Sequence, residues 1–261
     1  MQRNARFDPV FFRNLVARQI RQDYLENITG FAWLILQPLM LLSVYAFVFT
    51  QIFRARIPDD GGVGFVPYLA IAFWPWTAFS ESVLRASGSI TANAALVSKV
   101  AFATEQLPLA TVTATFLMHM IGYLAVLVVL ALMGTELHWL FLLAVVPVLV
   151  LLWLLACAIA LFASSTQVFL RDIAQILPPL MTFWFFMSPI LYSPAILPDS
   201  LAGVMNWNPM TWFVGTLRSA LLGGELGFSL AGLVMLVAVP LLVVLGLKWF
   251  RRFSGHFEDF L

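Results

Sequence analysis

Charged residues are scarce in this sequence. Asp, Glu, Lys and Arg make up 10% of the 261 residues, whereas 62% are apolar, and the mean hydropathy is +0.94. In a soluble domain of this length roughly a quarter of the residues are charged, because its surface must face water. The composition therefore excludes an ordinary soluble domain and predicts a polytopic membrane protein.

Several kinds of chemical site are also missing. Cys157 is the only cysteine, so no disulfide framework exists. The sequence has no G-x-x-x-x-G-K-[ST] phosphate loop, no G-x-S-x-G elbow and no H-E-x-x-H motif. Its three histidines are far apart and lack metal-ligand spacing. We therefore expect no nucleotide site, no catalytic residue and no metal site on this chain. A net charge of +1 without a basic run gives no reason to expect a nucleic-acid partner.

Long apolar stretches are what the sequence does contain. A helix needs about 20 mainly apolar residues to cross a membrane, and we predict six such spans in an all-α integral membrane protein. They are Phe31–Phe53, Val66–Ala86, Leu109–Met133, Leu140–Phe162, Ile173–Tyr192 and Phe228–Phe250. The first thirty residues hold five arginines and no long apolar run, so we expect them to be retained and not cleaved as a signal peptide.

The distribution of Lys and Arg predicts the orientation. With the N-terminus in the cytoplasm, eleven of the fourteen basic residues fall on the cytoplasmic side, and only Arg54, Arg56 and Arg218 fall outside. Cytoplasmic loops carry an excess of Lys and Arg. We therefore predict that both termini are cytoplasmic.

Two segments outside the spans have unusual composition. Before the first span, Phe11, Leu15 and Ile20 fall near helical spacing with arginines between them, which predicts an amphipathic helix on the inner membrane surface, with or without a docking role. After the fifth span, residues 193–227 hold too many prolines and glycines for a span and too many apolar residues for a solvated loop. We expect short re-entrant outer helices there, either as a gate or as a cap that only stabilises packing.

A few polar residues fall inside the predicted spans. Glu81 and Arg85 are spaced i, i+4, so they can pair along one helix face, and a structural pair is favoured over a transport role. His119 lies in the third span, where a hydrogen-bond partner between helices is favoured over a proton relay.

Aromatic residues are abundant, with 24 Phe, 9 Trp and 5 Tyr. Several lie inside the spans rather than at their ends, where an interfacial belt would place them. Ring faces can contact the C–H faces of sugars without competing for their hydroxyl groups. Packing between helices is the alternative for each single ring, and the sequence leaves both open.

Six segments in order along the chain resemble the membrane subunits of ABC exporters of the type-two permease family, in particular those that export O-antigen and related cell-surface polysaccharides. The basic helix and first-span entry are "LVARQIRQDYLENITGFAWLILQPL" (Leu15 to Leu39), and the segment between spans two and three is "NAALVSKVAFATEQLPL" (Asn93 to Leu109). Further along, the resemblance includes "FLRDIAQIL", "FFMSPILY", "NPMTWFVGTLRSALLG" and the C-terminal "FRRFSGHFEDFL".

This resemblance implies one transmembrane domain over residues 1–261. Its parts are a cytoplasmic interface helix (1–30), spans one to five (31–192) with a cytoplasmic coupling segment (88–108), an outer gate segment (193–227), span six (228–250) and a cytoplasmic tail (251–261). Two copies would pair as a homodimer in the bacterial inner membrane, and two separate ATPase subunits would bind beneath them. ATP and Mg²⁺ would bind to those ATPases, with no cofactor on this chain, and a lipid-linked polysaccharide would be the substrate.

The resemblance also implies roles for three sets of residues. Candidates that line the pore or contact glycan are Tyr45, Phe49, Trp74, Trp76, Phe79, Phe183, Trp184, Phe185, Phe186 and Tyr192. Candidates for ATPase docking are Arg18, Arg21, Asp23, Tyr24, Leu96, Lys99 and Phe102. Candidates for the outer gate are Pro194, Pro198, Asn208, Pro209 and Arg218.

Other functions stay open from the sequence. Within the family, the substrate could be a capsule polymer, a teichoic acid or a small hydrophobic drug. An intramembrane enzyme acting on lipid-linked sugars would need an acid/base pair, and only Glu81–Arg85 and Arg171–Asp172 are available. A lone channel without a partner is the third alternative.

Overall fold

Helices make up the structure, as the sequence predicts. The computed structural model describes residues 7–25, 28–52, 64–198, 200, 203, 205, 207–227 and 229–261. Across these residues the regular secondary structure consists of α-helices with short 3₁₀ and π turns, and no strand.

The α-helices are numbered here in chain order. They are α1 (Pro9–Ile20), α2 (Ile28–Phe47), α3 (Phe65–Ser87), α4 (Ser89–Ala92), α5 (Ala94–Lys99), α6 (Gln106–Leu132), α7 (Leu142–Phe169), α8 (Ile173–Phe186), α9 (Pro209–Leu221) and α10 (Leu230–Ser254). π turns follow α1 and α2 over Arg21–Leu25 and Val48–Ile52, and 3₁₀ turns form over Trp139–Phe141, Pro194–Ile196 and Phe257–Asp259.

Side-chain caps fix the starts of three helices. Asp8 precedes Pro9 and accepts hydrogen bonds from the Val10 and Phe11 amides at 2.8 and 3.2 Å. Asn208 caps α9 in the same way, with Pro209 at the first helical position. Ser229 caps α10 through the Gly232 amide. Such residues satisfy amide groups that the first helical turn leaves unpaired, so they set where each helix begins.

Among the described residues, four helical segments are long and apolar enough to cross a membrane. They are Ile35–Ile52, Gln106–Leu132, Trp139–Phe169 and Leu230–Ser254. They correspond to predicted spans one, three, four and six, although Phe53 and Phe228 lie outside the described residues.

The other two predicted spans differ from these four. Helix α3 has the length of a span, with 23 residues, but its tryptophans, prolines, Glu81 and Arg85 lower its hydropathy. Helix α8 is apolar but has 14 residues, which is about 21 Å against a hydrocarbon core of about 30 Å.

The predicted fifth span is wrong in its extent. A continuous helix to Tyr192 is expected from hydropathy, but α8 ends at Phe186 and turns follow. Pro189 explains this end, because a proline disfavours helical geometry at the residue before it and supplies no amide hydrogen. Pro178 and Pro179 lie inside α8 on its exposed side, while Leu177, Met181 and Phe185 form its buried face. Within one subunit, α8 therefore packs against protein along one side only, and its two prolines lie on the other side.

Helix α3 lies at the centre of the bundle and contacts α2, α6, α7, α8 and α9. Pro75 interrupts its hydrogen bonding, because proline cannot donate to the carbonyl four residues earlier, that of Ile71. The Tyr123 hydroxyl of α6 donates to this carbonyl at 3.2 Å. A neighbouring helix thus satisfies the backbone group that the proline leaves free, as a helix inside a membrane requires.

The exterior of the subunit is strongly apolar. Exposed residues of α10 include Leu230, Leu233, Leu236 and Val237. On its other side α10 packs closely on α7, and the position of a Cβ on Gly246 would be 3.1 Å from the Ala158 carbonyl oxygen. Small residues allow this kind of approach between membrane helices. The apolar exterior and the long apolar helices identify a multi-pass membrane protein.

A second, smaller core lies at one end of the bundle. Residues of α1, α4, α5 and the C-terminal segment contribute to it. Its buried members are Leu15, Ile90, Val97, Phe102, Leu107, Ala110, Leu161, Val168, Phe250 and Phe257. Glu105 forms an ion pair at 2.7 Å with Arg251, which lies in the last turn of α10. The predicted amphipathic helix is confirmed as α1, with Leu15 buried and Arg13 and Arg18 exposed. Its position on a membrane surface stays a prediction.

Candidate functional site

Aromatic rings from three helices meet on one side of α3. We define the aromatic cluster as Tyr45 of α2; Phe73, Trp76 and Phe79 of α3; and Trp184, Phe185 and Phe186 of α8. It contains six of the ten predicted pore residues, and Phe73 is a member that the predicted set lacks.

Phe185 and Trp184 connect the rings of the aromatic cluster. The Phe185 ring stacks on Tyr45 at 5.7 Å and 24° and lies 6.0 Å from Phe73 at 83°. Trp184 is edge-on to Trp76 at 5.8 Å and to Phe79 at 5.4 Å. These separations are in the range where aromatic pairs attract each other. The rings therefore form a packed wall.

The wall has a buried layer and an accessible layer. Trp76, Phe79 and Phe185 are buried, whereas Tyr45 and Trp184 are half-buried. Phe186 is 54% exposed, and Phe183, one turn before it, is 64% exposed. Only the accessible rings offer a face to a ligand in this structure, and the buried rings support them.

Three other predicted pore residues lie beyond the cluster. Phe49 stacks on Phe65 at 5.3 Å between the ends of α2 and α3. Tyr192 is half-buried, and its hydroxyl donates to the Phe186 carbonyl at 3.2 Å. Trp74 is fully buried on a different side of α3, and its indole N–H donates to the His119 carbonyl at 2.9 Å. As placed, Trp74 has no surface that a glycan could touch.

A polar network crosses from α1 to α6. The His119 Nε2 atom is 2.8 Å from Glu81 Oε2, and Glu81 Oε1 accepts from Arg85 Nε at 2.7 Å. Arg85 also pairs with Asp23 at 3.2 Å, and Gln19 donates to the same Asp23 oxygen at 2.8 Å. The predicted i, i+4 pair is confirmed, and His119 makes the predicted contact between helices; its structural role stays a prediction.

His119 makes one hydrogen bond through its ring. Its ring is fully buried, and its Nδ1 atom has no hydrogen-bond partner in the described part of the chain. An ionised carboxylate can only accept, so Nε2–H donates the hydrogen bond to Glu81. Glu81 of α3 therefore fixes the position of an imidazole of α6 by a hydrogen bond between the two helices.

The predicted docking residues lie on and around α1 and α5. Arg18 donates to the Asn93 side chain at 2.7 Å, and Phe102 is buried with its ring 5.1 Å from that of Phe11. Arg21 and Lys99 are exposed, and Leu96 is half-buried. Asp23 is engaged in the polar network, and the side chain of Tyr24 lies outside the described part. The structure thus joins α1 to the 93–102 segment and leaves the three cations of this set, Arg18, Arg21 and Lys99, on the surface.

The predicted gate residues surround α9. Pro194 begins a 3₁₀ turn, Pro198 is exposed, and Pro209 begins α9. Asn208 connects α9 to the end of α8 through its side-chain amide. Position in the fold alone does not test a gating role, which stays a prediction.

Arg218 is a buried cation held by carbonyl groups. Its guanidinium donates to the carbonyls of Tyr68, Pro189 and Ile190 at 2.9, 2.7 and 2.7 Å, and it lies 3.4 Å from the centre of the Tyr68 ring. In the part of the chain that the structure describes, no carboxylate lies within ion-pair distance of it. A planar cation with five donors suits such a site. Arg218 therefore fastens α9 to α3 and to the turn after α8.

Sequence reasoning missed the burial of Arg218, the pairing of Asp23 with Arg85 and the ion pair between Glu105 and Arg251. The partners of each are 28 to 150 residues apart in the chain. For the burial of Arg218, the available signal in the sequence is a single arginine within an apolar segment. Among the described residues, no three His, Cys, Asp or Glu side chains lie close enough to hold a metal ion.

Comparison with known proteins gives a family for this arrangement. The ABC-2 type transporter family model matches residues 11–222, from the first turn of α1 to the end of α9. The chain belongs to the ABC-2 type transporter family. This ABC-2 subunit is 22% identical over 247 residues to the O-antigen export system permease protein RfbA of Klebsiella pneumoniae, covering 94% of this chain and 92% of the relative.

Two further relatives of this ABC-2 subunit cover most of its length. It is 31% identical over 201 residues to the O-antigen export system permease protein RfbA of Myxococcus xanthus, covering 76% of this chain and 74% of the relative. It is also 28% identical over 239 residues to the polysialic acid transport protein KpsM of Escherichia coli, covering 89% and 90%. The family and the apolar helices describe a transport subunit in a membrane and not an enzyme.

Proposed function

We propose that this chain is the membrane permease subunit of an ATP-driven exporter that moves lipid-linked O-antigen or a related cell-surface polysaccharide out of the cytoplasm. Membership of the ABC-2 family and the names of its relatives support this function. The observation that carries the substrate class is the aromatic cluster, because flat apolar rings suit a polymer that must slide without being held.

ATP hydrolysis takes place on a separate ATPase. The lack of a phosphate-binding loop in the sequence supports placing ATP and Mg²⁺ on the ATPase. Two such ATPases bind beneath a pair of permease subunits in the bacterial inner membrane. Their closure biases the permease between two conformations, and the chain itself forms no covalent intermediate.

Six crossings with both termini in the cytoplasm complete the proposed topology. The excess of Lys and Arg on the cytoplasmic side supports this orientation. Helices α3 and α8 provide the second and fifth crossings. Because α8 is short, the turns after it and α9 complete the outer half of the membrane as re-entrant structure, protected inside the protein.

A second copy of the chain encloses the path. Phe183 and Phe186 on α8 are exposed, and Phe186 belongs to the aromatic cluster. A two-fold pair that places these faces opposite each other would cover them and leave a passage lined by rings from both copies. This arrangement supports a homodimer with the glycan path at its centre.

The cytoplasmic end provides the contact with the ATPases. Arg21 and Lys99 are exposed there, and the contacts Phe11–Phe102 and Arg18–Asn93 connect α1 to the segment after α4. These two elements would therefore move together when an ATPase pushes on either. The polar network from Asp23 to His119 continues this connection to α3 and α6.

A capsule polymer is the alternative substrate. The similarity to a polysialic acid transport protein supports it, and nothing in the aromatic cluster selects one polymer over another. Export of purified lipid-linked O-antigen and of capsule polymer, compared in the same vesicles, separates the two.

The proposal is tested by reconstitution with the cognate ATPase. In inverted proteoliposomes, the double variant Trp184→Ala/Phe185→Ala is expected to slow polymer uptake at least tenfold. It removes the half-buried Trp184 ring and the buried Phe185 ring, which contacts four other rings of the aromatic cluster. Pull-down of the ATPase should be unchanged, since both residues are on α8.

Trp139→Ala is the matched control. Trp139 is an exposed ring in the turn before α7, outside the aromatic cluster, and its loss should leave uptake unchanged. Wild-type uptake by the Trp184→Ala/Phe185→Ala variant would contradict the proposed glycan path.

A further inference from the structure

The side-chain amide of Asn208 is fully used. Its Oδ1 accepts from the Trp184 indole N–H and from the Met210 amide, each at 3.0 Å. Its Nδ2 donates to the Met187 carbonyl at 2.9 Å and to the Ser188 hydroxyl at 3.1 Å. A primary amide has two donor hydrogens and an oxygen with two lone pairs, so all four positions are occupied. Such a site specifies asparagine, because no other small side chain has both groups.

The bond to Asn208 fixes how the Trp184 ring is turned. An indole has one polar hydrogen, and here it points to Asn208 while the ring is edge-on to Trp76 and Phe79. Those two rings are buried, but Trp184 is half-buried, with part of its surface open. The part of the ring that remains open therefore depends on Asn208.

Asn208 is itself fixed by the outer elements. It is the N-cap of α9, and Arg218 fastens the other end of that helix to carbonyls of Tyr68, Pro189 and Ile190. A displacement of α9 relative to α8 must break the bond between Asn208 and Trp184 or turn the ring. The orientation of a ring in the aromatic cluster is thus connected to the position of an outer helix.

We propose that Asn208 is a positioning residue that holds Trp184 in its working orientation in the glycan path. It acts through Trp184 and does not touch the polymer. This inference rests on the proposed function for its effect on export, but the orientation itself is independent of what the protein transports.

Two single variants separate the Trp184 bond from other roles of Asn208. Asn208→Ser retains a good helix cap but is too short to reach the indole N–H as well. Trp184→Phe keeps an aromatic ring and removes the donor. Trp184→Phe is expected to slow polymer uptake about fivefold, as the loss of one neutral hydrogen bond would. Asn208→Ser, which also loses the Nδ2 bonds to Met187 and Ser188, should slow it at least as much. The double variant should be no slower than the slower single variant, because both remove the same contact.

The ring orientation is read by ¹⁹F NMR of the permease labelled with fluorotryptophan. The resonance missing from Trp184→Phe belongs to Trp184, and it should shift in Asn208→Ser while the other tryptophan resonances stay in place. A Trp184 resonance that does not move overturns the inference, whatever the export rate. A moved resonance with unchanged uptake, or singles whose effects multiply in the double variant, overturns the role in export.

A failure of the proposed function can be told apart from a failure of this inference. If the wild-type protein with its ATPase moves no polysaccharide, the proposed function fails, while the NMR shift still tests the orientation. If Asn208→Ser does not assemble, Trp184→Phe, which leaves the cap intact, is measured alone, and unchanged uptake by that variant overturns the inference.

Discussion

The contact between Trp74 and Gly122 predicts that Gly122→Ala destabilises the subunit. A Cβ at position 122 would be 2.6 Å from Trp74 Cζ2 and 3.1 Å from Cε2. The first distance is shorter than real Cβ contacts in folded proteins, and the second is unusually tight. The indole cannot withdraw easily, because the ring is fully buried and its N–H donates to the His119 carbonyl. Either α3 and α6 separate or the ring turns and loses that bond.

Both responses have a known scale. Overpacking a core costs about 1–3 kcal/mol, and the loss of a neutral hydrogen bond costs about 1 kcal/mol. The expected decrease in the free energy of unfolding is therefore about 2–4 kcal/mol. For a chain of this length that corresponds to a decrease in Tm of roughly 5–15 °C.

Thermal unfolding of the purified subunit in detergent, followed by circular dichroism, measures this effect. Gly215→Ala is the control, because nothing lies within 4 Å of a Cβ there and the change should stay within about 1 kcal/mol. In a Trp74→Phe background, which removes the clashing atoms, Gly122→Ala should cost much less. A wild-type Tm for Gly122→Ala, or an equal loss in both backgrounds, would refute this account of how α3 packs on α6.

Two buried polar contacts give the remaining predictions. Glu81→Leu should lower the free energy of unfolding by about 1–3 kcal/mol, because it leaves the buried His119 N–H unpaired. Glu81→Gln can still accept that hydrogen bond, so it should lose less than half as much in the same thermal assay. Equal losses in the two variants would contradict the contact between Glu81 and His119. Arg218→Lys should cost about 2–4 kcal/mol, since an ammonium group cannot reproduce the planar fork to three carbonyls or the stacking on Tyr68. Arg252→Lys on the exposed face is its control, and a loss no greater than that of the control would show that the fork is not needed.

Contacts local in sequence could be predicted from the sequence. Hydropathy placed the four long apolar helices, and the i, i+4 spacing of Glu81 and Arg85 predicted a pair that lies at 2.7 Å. A lone histidine inside a span predicted an interhelical partner, and His119 contacts Glu81. These features depend on helix periodicity and on the cost of unpaired polar groups in an apolar medium, which a single sequence reveals.

Contacts between distant segments could not be predicted. The burial of Trp74 on α6 depends on Gly122, and the burial of Arg218 depends on three carbonyls in other segments. Neither contact follows from the regular spacing of residues along a helix. The end of α8 at Phe186 was missed because hydropathy continues through Tyr192, whereas backbone geometry at Pro189 does not.

Polymer movement by the purified chain without any ATPase tests the central claim most directly, namely that this subunit is a conduit moved by a separate ATPase. In proteoliposomes that contain this chain alone, we expect no ATP hydrolysis and no uptake of lipid-linked polysaccharide, and both activities should begin when the cognate ATPase is added. ATP consumption or glycan uptake by the chain alone would contradict the account.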